Sequence, residues 1–157
     1  MSAPSPSPSG PAARAGRIPA LNWTDAHRTT IQLRFADVDA MGHINNARYA
    51  EFLEVARMDM SAALGIHGDD DQSVLARMEI DYVQEIRLGQ AVVVESLIER
   101  VGNSSWTVIN RFVADGVACA FARSVQVRVD ANRAPEALPP RFRDCVGPLL
   151  ARPESVA

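Results

Sequence analysis

The residues able to do chemistry crowd into one segment, Arg34-Phe-Ala-Asp37-Val-Asp39-Ala-Met-Gly42-His43-Ile-Asn45-Asn46-Ala-Arg48-Tyr49. It holds two carboxylates, an imidazole and two amides at the junction between a strand-like and a helix-like stretch. Asp37 and Asp39 have the same parity as Ile31, Leu33 and Phe35. A strand persisting through them turns both acids toward the apolar side, a costly place for charge unless it is used. The first N–H groups of a helix lack intrahelical acceptors and suit the oxyanion that forms when a carbonyl is attacked. A carboxylate beside a helix start is therefore an acyl-transfer arrangement. Three other readings of the same residues stay open. Asp and Asn at such a junction also cap and turn the chain, His43 could be an ordinary hydrogen-bonding residue, and Asp-x-Asp with a nearby His could hold a hard cation, although no further ligand cluster is visible.

The rest of the composition narrows the chemistry. The chain has 157 residues, 47% hydrophobic, 22% charged and 6% aromatic, which fits one ordinary globular domain with its own core. The net charge of −3 gives no basic excess, so neither nucleic acid nor an anionic membrane is the expected partner. All 16 cationic side chains are Arg, which excludes Schiff-base lysine chemistry and a phosphate-binding loop of the GxxxxGK[ST] type. No GxGxxG, GxSxG or HExxH is present, and His27, His43 and His67 are too widely spaced for a local zinc motif. Cys119 and Cys145 form no CxxC pair, and the usage fits a reducing compartment.

The elements that must hold this segment read as follows. Residues 1–22, rich in Pro, Ser and Ala, predict a disordered tail, and the start of the chain lacks the apolar run of a secretory signal. A single domain is expected over 23–151, with a short tail over 152–157. No stretch approaches 18 apolar residues, so a soluble, cytoplasmic protein is expected. Ile31, Leu33 and Phe35 alternate with polar neighbours as in a half-buried strand. Across Ala47–Leu64 the period changes: Tyr49, Phe52, Leu53, Ala56, Met60, Ala63 and Leu64 mark one face of a helix, started by Asn45 or Asn46 and ended by Gly65. Gly68–Gln72 reads as an exposed acidic loop. Strands are then expected over Val74–Tyr82, Ala91–Val101, Ser105–Ala114 and Val117–Asp130, with Asp115-Gly116 as a tight hairpin turn. In the last strand, Val117, Cys119, Phe121, Val125, Val127 and Val129 are placed on a common face, and Arg141–Leu150 as a short terminal helix. The order predicts an α+β fold, a five-stranded antiparallel sheet wrapped round one long central helix. Open sheet edges invite a second copy.

The stretch Phe35–Tyr49, followed by Glu54-Val-Ala-Arg57, resembles the signature of the 4-hydroxybenzoyl-CoA thioesterase-like branch of hotdog-fold acyl-CoA thioesterases. The likeness continues through Ile80-Asp-Tyr82, Arg87-Leu-Gly89, Gly102-Asn-Ser-Ser105 and Leu138-Pro-Pro-Arg-Phe-Arg143. It implies hydrolysis of an acyl thioester, on CoA or an acyl-carrier protein, with no cofactor and no metal. It places the catalytic carboxylate on Asp39, as nucleophile or general base, and the carbonyl-polarising backbone N–H on Asn46. His43, Asn45 and Tyr49 would line or brace the pocket, Asp37 would be structural, and Ser104 and Ser105 of a neighbouring subunit would meet the pantetheine arm. Arg87, Arg100 and Arg123 are candidates for the CoA phosphates. The implied assembly is a homodimer or a tetramer of dimers with sites between subunits. The His-Asn-Asn run departs from the aromatic-acyl members and shifts the expected substrate to fatty or other acyl-CoA. A hotdog hydratase or dehydratase, and a non-catalytic acyl-thioester-binding module, are the alternatives.

Overall fold

The computed structural model describes residues 20–66 and 72–154. The expected tail over 1–19, the acidic loop apart from Gln72, and His67 lie outside the described residues. Five strands, β1 (His27–Ile31), β2 (Ser73–Tyr82), β3 (Val92–Val101), β4 (Ser105–Ala114) and β5 (Val117–Arg128), form one sheet in the order β1-β3-β4-β5-β2, with every neighbouring pair antiparallel. The helix α1 (Asn46–Ala63) lies on one face, and α2 (Pro140–Val146) with a following 3-10 turn closes the far end. The five-stranded antiparallel sheet with a helix against it is as expected, whereas the one long central helix is not met in that form. Helical residues are divided between the 18-residue α1, the seven-residue α2 and short 3-10 turns.

The helix α1 forms where the apolar residues recur at three and four. Tyr49, Phe52, Leu53, Ala56 and Met60 are buried, a single stripe against the sheet. Toward its start the stripe packs on Val92, Val94, Phe112, Ala120 and Ala122. Toward its end Met60 joins Ile98, Trp106, Val108 and Phe142. Gly65, at φ +67, takes the left-handed conformation that ends the helix. Among the described residues no helix is long and apolar enough to cross a membrane.

Three sequence expectations are corrected. First, β1 stops at Ile31, and Phe35–Asp37 is a 3-10 turn, so the parity that put Asp37 and Asp39 on one strand face does not hold and Phe35 is 86% exposed. Second, β5 buries Ala120, Ala122, Ser124 and Gln126 instead of Phe121, Val125 and Val127. The cause is a bulge: Phe112 opposes Ala120 and Val113 opposes Ala118, leaving Cys119 as the extra residue that shifts the phase by one. Third, residues 20–22 and 152–154, expected in tails, pair with each other through Asn22 N to Arg152 O (2.9 Å) and Glu154 N to Ala20 O (3.1 Å). Nearby, Trp23 covers the outer sheet face over Leu97 and Ile109, its ring 4.7 Å from the Arg111 guanidinium.

Candidate active site

Asp37 builds the junction that carries the site. Its carboxylate accepts the Arg34 backbone N–H at 2.8 Å and the Arg34 Nη2 at 2.8 Å, with Arg48 Nε 3.6 Å from Oδ1. Its carbonyl accepts the Asn45 N–H at 2.9 Å, joining the turn to the start of α1. The side chain has no exposed surface. The Arg34 hydrogen bond nevertheless holds its carboxyl below the ordinary carboxylate range, outweighing the desolvation that acts the other way. Asp37 is a bracket.

Asp39, two residues on, is half-buried and tethered differently. Its Oδ1 accepts the backbone N–H groups of Met41 (2.9 Å) and His43 (3.2 Å), while its own N–H donates to the His43 carbonyl at 2.8 Å. Gly42, at φ +82, supplies the left-handed residue this tight loop requires. Among the described residues Oδ2 takes no partner, so one carboxylate oxygen is anchored and the other is free for chemistry. The loop presents Asp39 to a cleft of about 320 Å³ lined also by His43, Asn46, Tyr49, Tyr82 and Glu85. A larger groove of about 480 Å³ lies elsewhere, between β1 and the outer face of α1, and contains none of the expected site residues.

Asn45 caps α1, its side-chain oxygen accepting the Ala47 N–H at 2.9 Å. That leaves the N–H of Asn46, the first helical residue, without an intrahelical acceptor on the cleft wall. Tyr49 is 2% exposed, stands edge-on to Tyr82 (centroids 5.0 Å apart) and packs on Phe112. Burial pushes its phenol up to about 12, so it stays protonated and can only donate or accept a hydrogen bond. Asp39, His43, Asn46 and Tyr49 thus share one cleft, while the Asn45 side chain is spent on the cap. Ser104 and Ser105 are not brought there within one chain. Ser105 lies seven residues along β4 from Phe112, the residue under Tyr49, roughly 23 Å at about 3.3 Å per residue. Of the three arginines, Arg87 reaches the cleft rim through Glu85 and His43. Arg123 is held by Glu99 at 2.6 and 2.7 Å, and Arg100 is exposed at the end of β3.

Of the opposite wall, 82–87, the motif reading touched only the ends, Tyr82 and Arg87, and missed Glu85 between them. Tyr82 donates its hydroxyl to the Asn46 carbonyl at 3.1 Å, pinning the first turn of α1. The bulge carbonyl of Cys119 accepts the N–H groups of both Val83 and Gln84 at 2.9 Å, which swings the chain off β2 and across the cleft. Glu85 then meets His43, Oε2 to Nε2 at 2.8 Å. The available signal was the alternation of β2 ending on a tyrosine, followed at once by the charged Glu85-Ile-Arg87. Among the described residues no group of three or more His, Cys, Asp or Glu could hold a metal ion.

Comparison with known proteins bears on this arrangement. A family model described as the thioesterase-like superfamily matches residues 33–146. The solved structure of a predicted thioesterase from Bacillus stearothermophilus is 32% identical, with a TM-score of 0.74, covering 81% of this chain and 98% of that one. A thioesterase from Thermus thermophilus, solved with coenzyme A and Zn, is also 32% identical, with a TM-score of 0.70, covering 78% and 92%. A DHNA-CoA thioesterase from Staphylococcus aureus shares the fold at 22% identity, with a TM-score of 0.70 over 76% and 87%. No curated protein is significantly similar to the chain. Because the family model spans the Asp39 loop, α1, α2 and the whole sheet except β1, the chain belongs to the thioesterase-like superfamily.

Proposed function

We propose that the protein hydrolyses acyl-CoA thioesters in the Asp39 cleft, with Asp39 as the catalytic carboxylate and the Asn46 N–H as the carbonyl-polarising donor. The observation that carries this reading is the pairing of a free carboxylate oxygen with an unpaired helix-start N–H on one cleft. As a general base, Asp39 Oδ2 takes a proton from water while the water oxygen bonds to the thioester carbon. The carbonyl electron pair moves onto oxygen and is stabilised by the amide. Collapse of the tetrahedral intermediate breaks the C–S bond, releases the acid, and gives a thiolate that takes up a proton. As a nucleophile, the same oxygen bonds to the thioester carbon as the C–S bond breaks, expelling the CoA thiolate, which takes up a proton, and leaving a mixed anhydride that water then hydrolyses to the free acid and the Asp39 carboxylate. Label found on Asp39 after a single turnover in ¹⁸O-water marks the nucleophilic route, through an anhydride opened at the Asp39 carboxyl carbon.

The coenzyme A bound to the Thermus relative supports CoA as the carrier. No cofactor enters the proposed chemistry. The sheet, helix and closed junction support a hotdog domain whose α1 lies enclosed by the sheet's curvature and a partner subunit. The assembly proposed is a homodimer in which Ser104 and Ser105 of one subunit meet the pantetheine arm of substrate held by the other. A cytoplasmic setting suits a protein whose two cysteines form no described disulfide.

The test is thiol release across a panel of acyl-CoA esters. Free thiol should accumulate with the wild type, and Asp39→Asn should remove it. Saturable CoA-ester binding with no turnover would leave a binding module, and loss of enoyl-CoA absorbance without thiol would indicate hydration.

A further inference from the structure

Glu85 has no role in the chemistry above, yet it lines the same cleft and touches both His43 in its wall and Arg87 at its rim. One oxygen of its carboxylate, Oε2, is 2.8 Å from His43 Nε2, and the other, Oε1, accepts Arg87 Nε at 2.8 Å. Arg87 Nη2 stands 3.5 Å from the same His43 nitrogen. The His43 main chain is bonded to Asp39 in both directions, His43 N to Oδ1 and Asp39 N to the His43 carbonyl. Glu85 is itself placed by the Cys119 bulge, which grips Val83 and Gln84 just before it.

We propose that Glu85 is a positioning residue that acts through His43, holding the imidazole by its Nε2–H so that Nδ1 is the ring nitrogen left to face chemistry in the cleft. A carboxylate accepts and cannot donate, so its contact selects the ring form with the proton on Nε2. Nδ1 then becomes the nitrogen that gains and loses the exchangeable proton. In the cleft that His43 shares with Asp39, that nitrogen is suited to the leaving group. In the cationic ring Nδ1–H passes its proton to the departing CoA thiolate, the C–S electron pair having gone to sulfur. The ring is recharged by the proton that Asp39 took from water. Arg87 works against any other arrangement only while Glu85 is present. Without the carboxylate, the guanidinium is the neighbour of Nε2, and as a pure donor it would turn that nitrogen into an acceptor and move the proton to Nδ1.

The inference rests on the thioesterase reading, and its test separates the two. Glu85→Ala, His43→Gln and the double variant are assayed for thiol release, and the His43 ring is followed by ¹⁵N NMR, assigned by its loss in His43→Gln. Glu85→Ala should lower kcat roughly 10- to 100-fold, as for a displaced catalytic group, with KM little changed. It should add nothing in the His43→Gln background, and should move the His43 signals from the Nε2–H to the Nδ1–H pattern. Wild-type kcat in Glu85→Ala, effects that multiply in the double variant, or an unchanged ¹⁵N pattern would each overturn the proposal. Failure of the wild type to release thiol from any ester would instead overturn the thioesterase reading, leaving the ¹⁵N pattern to decide the Glu85–His43 pairing.

Discussion

Asp37 and Asp39 carry the same side chain two residues apart and are held in opposite ways. All four contacts to the Asp37 carboxylate come from Arg34 and Arg48, and none of its surface meets solvent. Its carboxyl is held below the ordinary range, so the stability it contributes is present above the unfolded-state pKa of about 3.9 and is lost as pH falls through the lower folded-state value. Asp37→Asn should therefore cost about 1–2 kcal/mol at pH 7, a modest figure because the Arg34 partner is largely exposed. It should also flatten the acid limb of stability against pH, as read by urea unfolding at several pH values. Asp39 is held only by backbone donors on one oxygen, a contact that asparagine keeps. Asp39→Asn should lower kcat roughly 10²- to 10⁴-fold while the urea midpoint stays within about 0.5 kcal/mol of wild type. Reversed phenotypes for the two variants would exchange the bracket and the reactive acid.

At the scale of elements, the sequence was legible wherever one period ran unbroken. The helix stripe from Tyr49 to Met60, its Asn45 cap and its Gly65 stop appear within one residue of where the spacing puts them. The bounds of strands β2 to β4 do too, set by their turn residues, although bulges between Leu75 and Arg77 in β2 and between Ile98 and Arg100 in β3 interrupt the alternation. Two places failed for the same reason: a single irregular residue resets the phase, and a pattern read at constant period carries the error onward. The bulge at Cys119 buried the polar-looking Ser124 and Gln126, and the 3-10 turn at Phe35–Asp37 cancelled the shared face of the two acids. Asp39 could be singled out in the sequence because its motif is local. Glu85 could not, because its partner His43 is 42 residues away in sequence and they meet only through the bulge. The cap offers a test at this scale. Asn45→Ala should cost about 1 kcal/mol in thermal or urea unfolding, and should lower kcat more than it raises KM, because the helix start that it loosens carries the Asn46 amide.

At the scale of the molecule, the role proposed for the Ser104-Ser105 turn requires a second subunit, because within one chain the turn lies far from the Asp39 cleft. Both outer strands, β1 and β2, leave an edge unpaired among the described residues, which is where a second copy can add. If sites are shared, Asp39→Asn and Ser105→Glu homodimers should each be impaired, yet refolding them as an equal mixture should restore about a quarter of wild-type thiol release. Half of the dimers would be mixed, each with one intact site of two. Activity no higher than the average of the two parents would place each site within a single chain. The antiparallel pairing of residues 20–22 with 152–154 has a different consequence. Since both ends of the described domain emerge side by side, a short linker could join them and new ends could be opened at the Asp115-Gly116 hairpin, giving a circular permutant whose cleft and sheet order are unaltered.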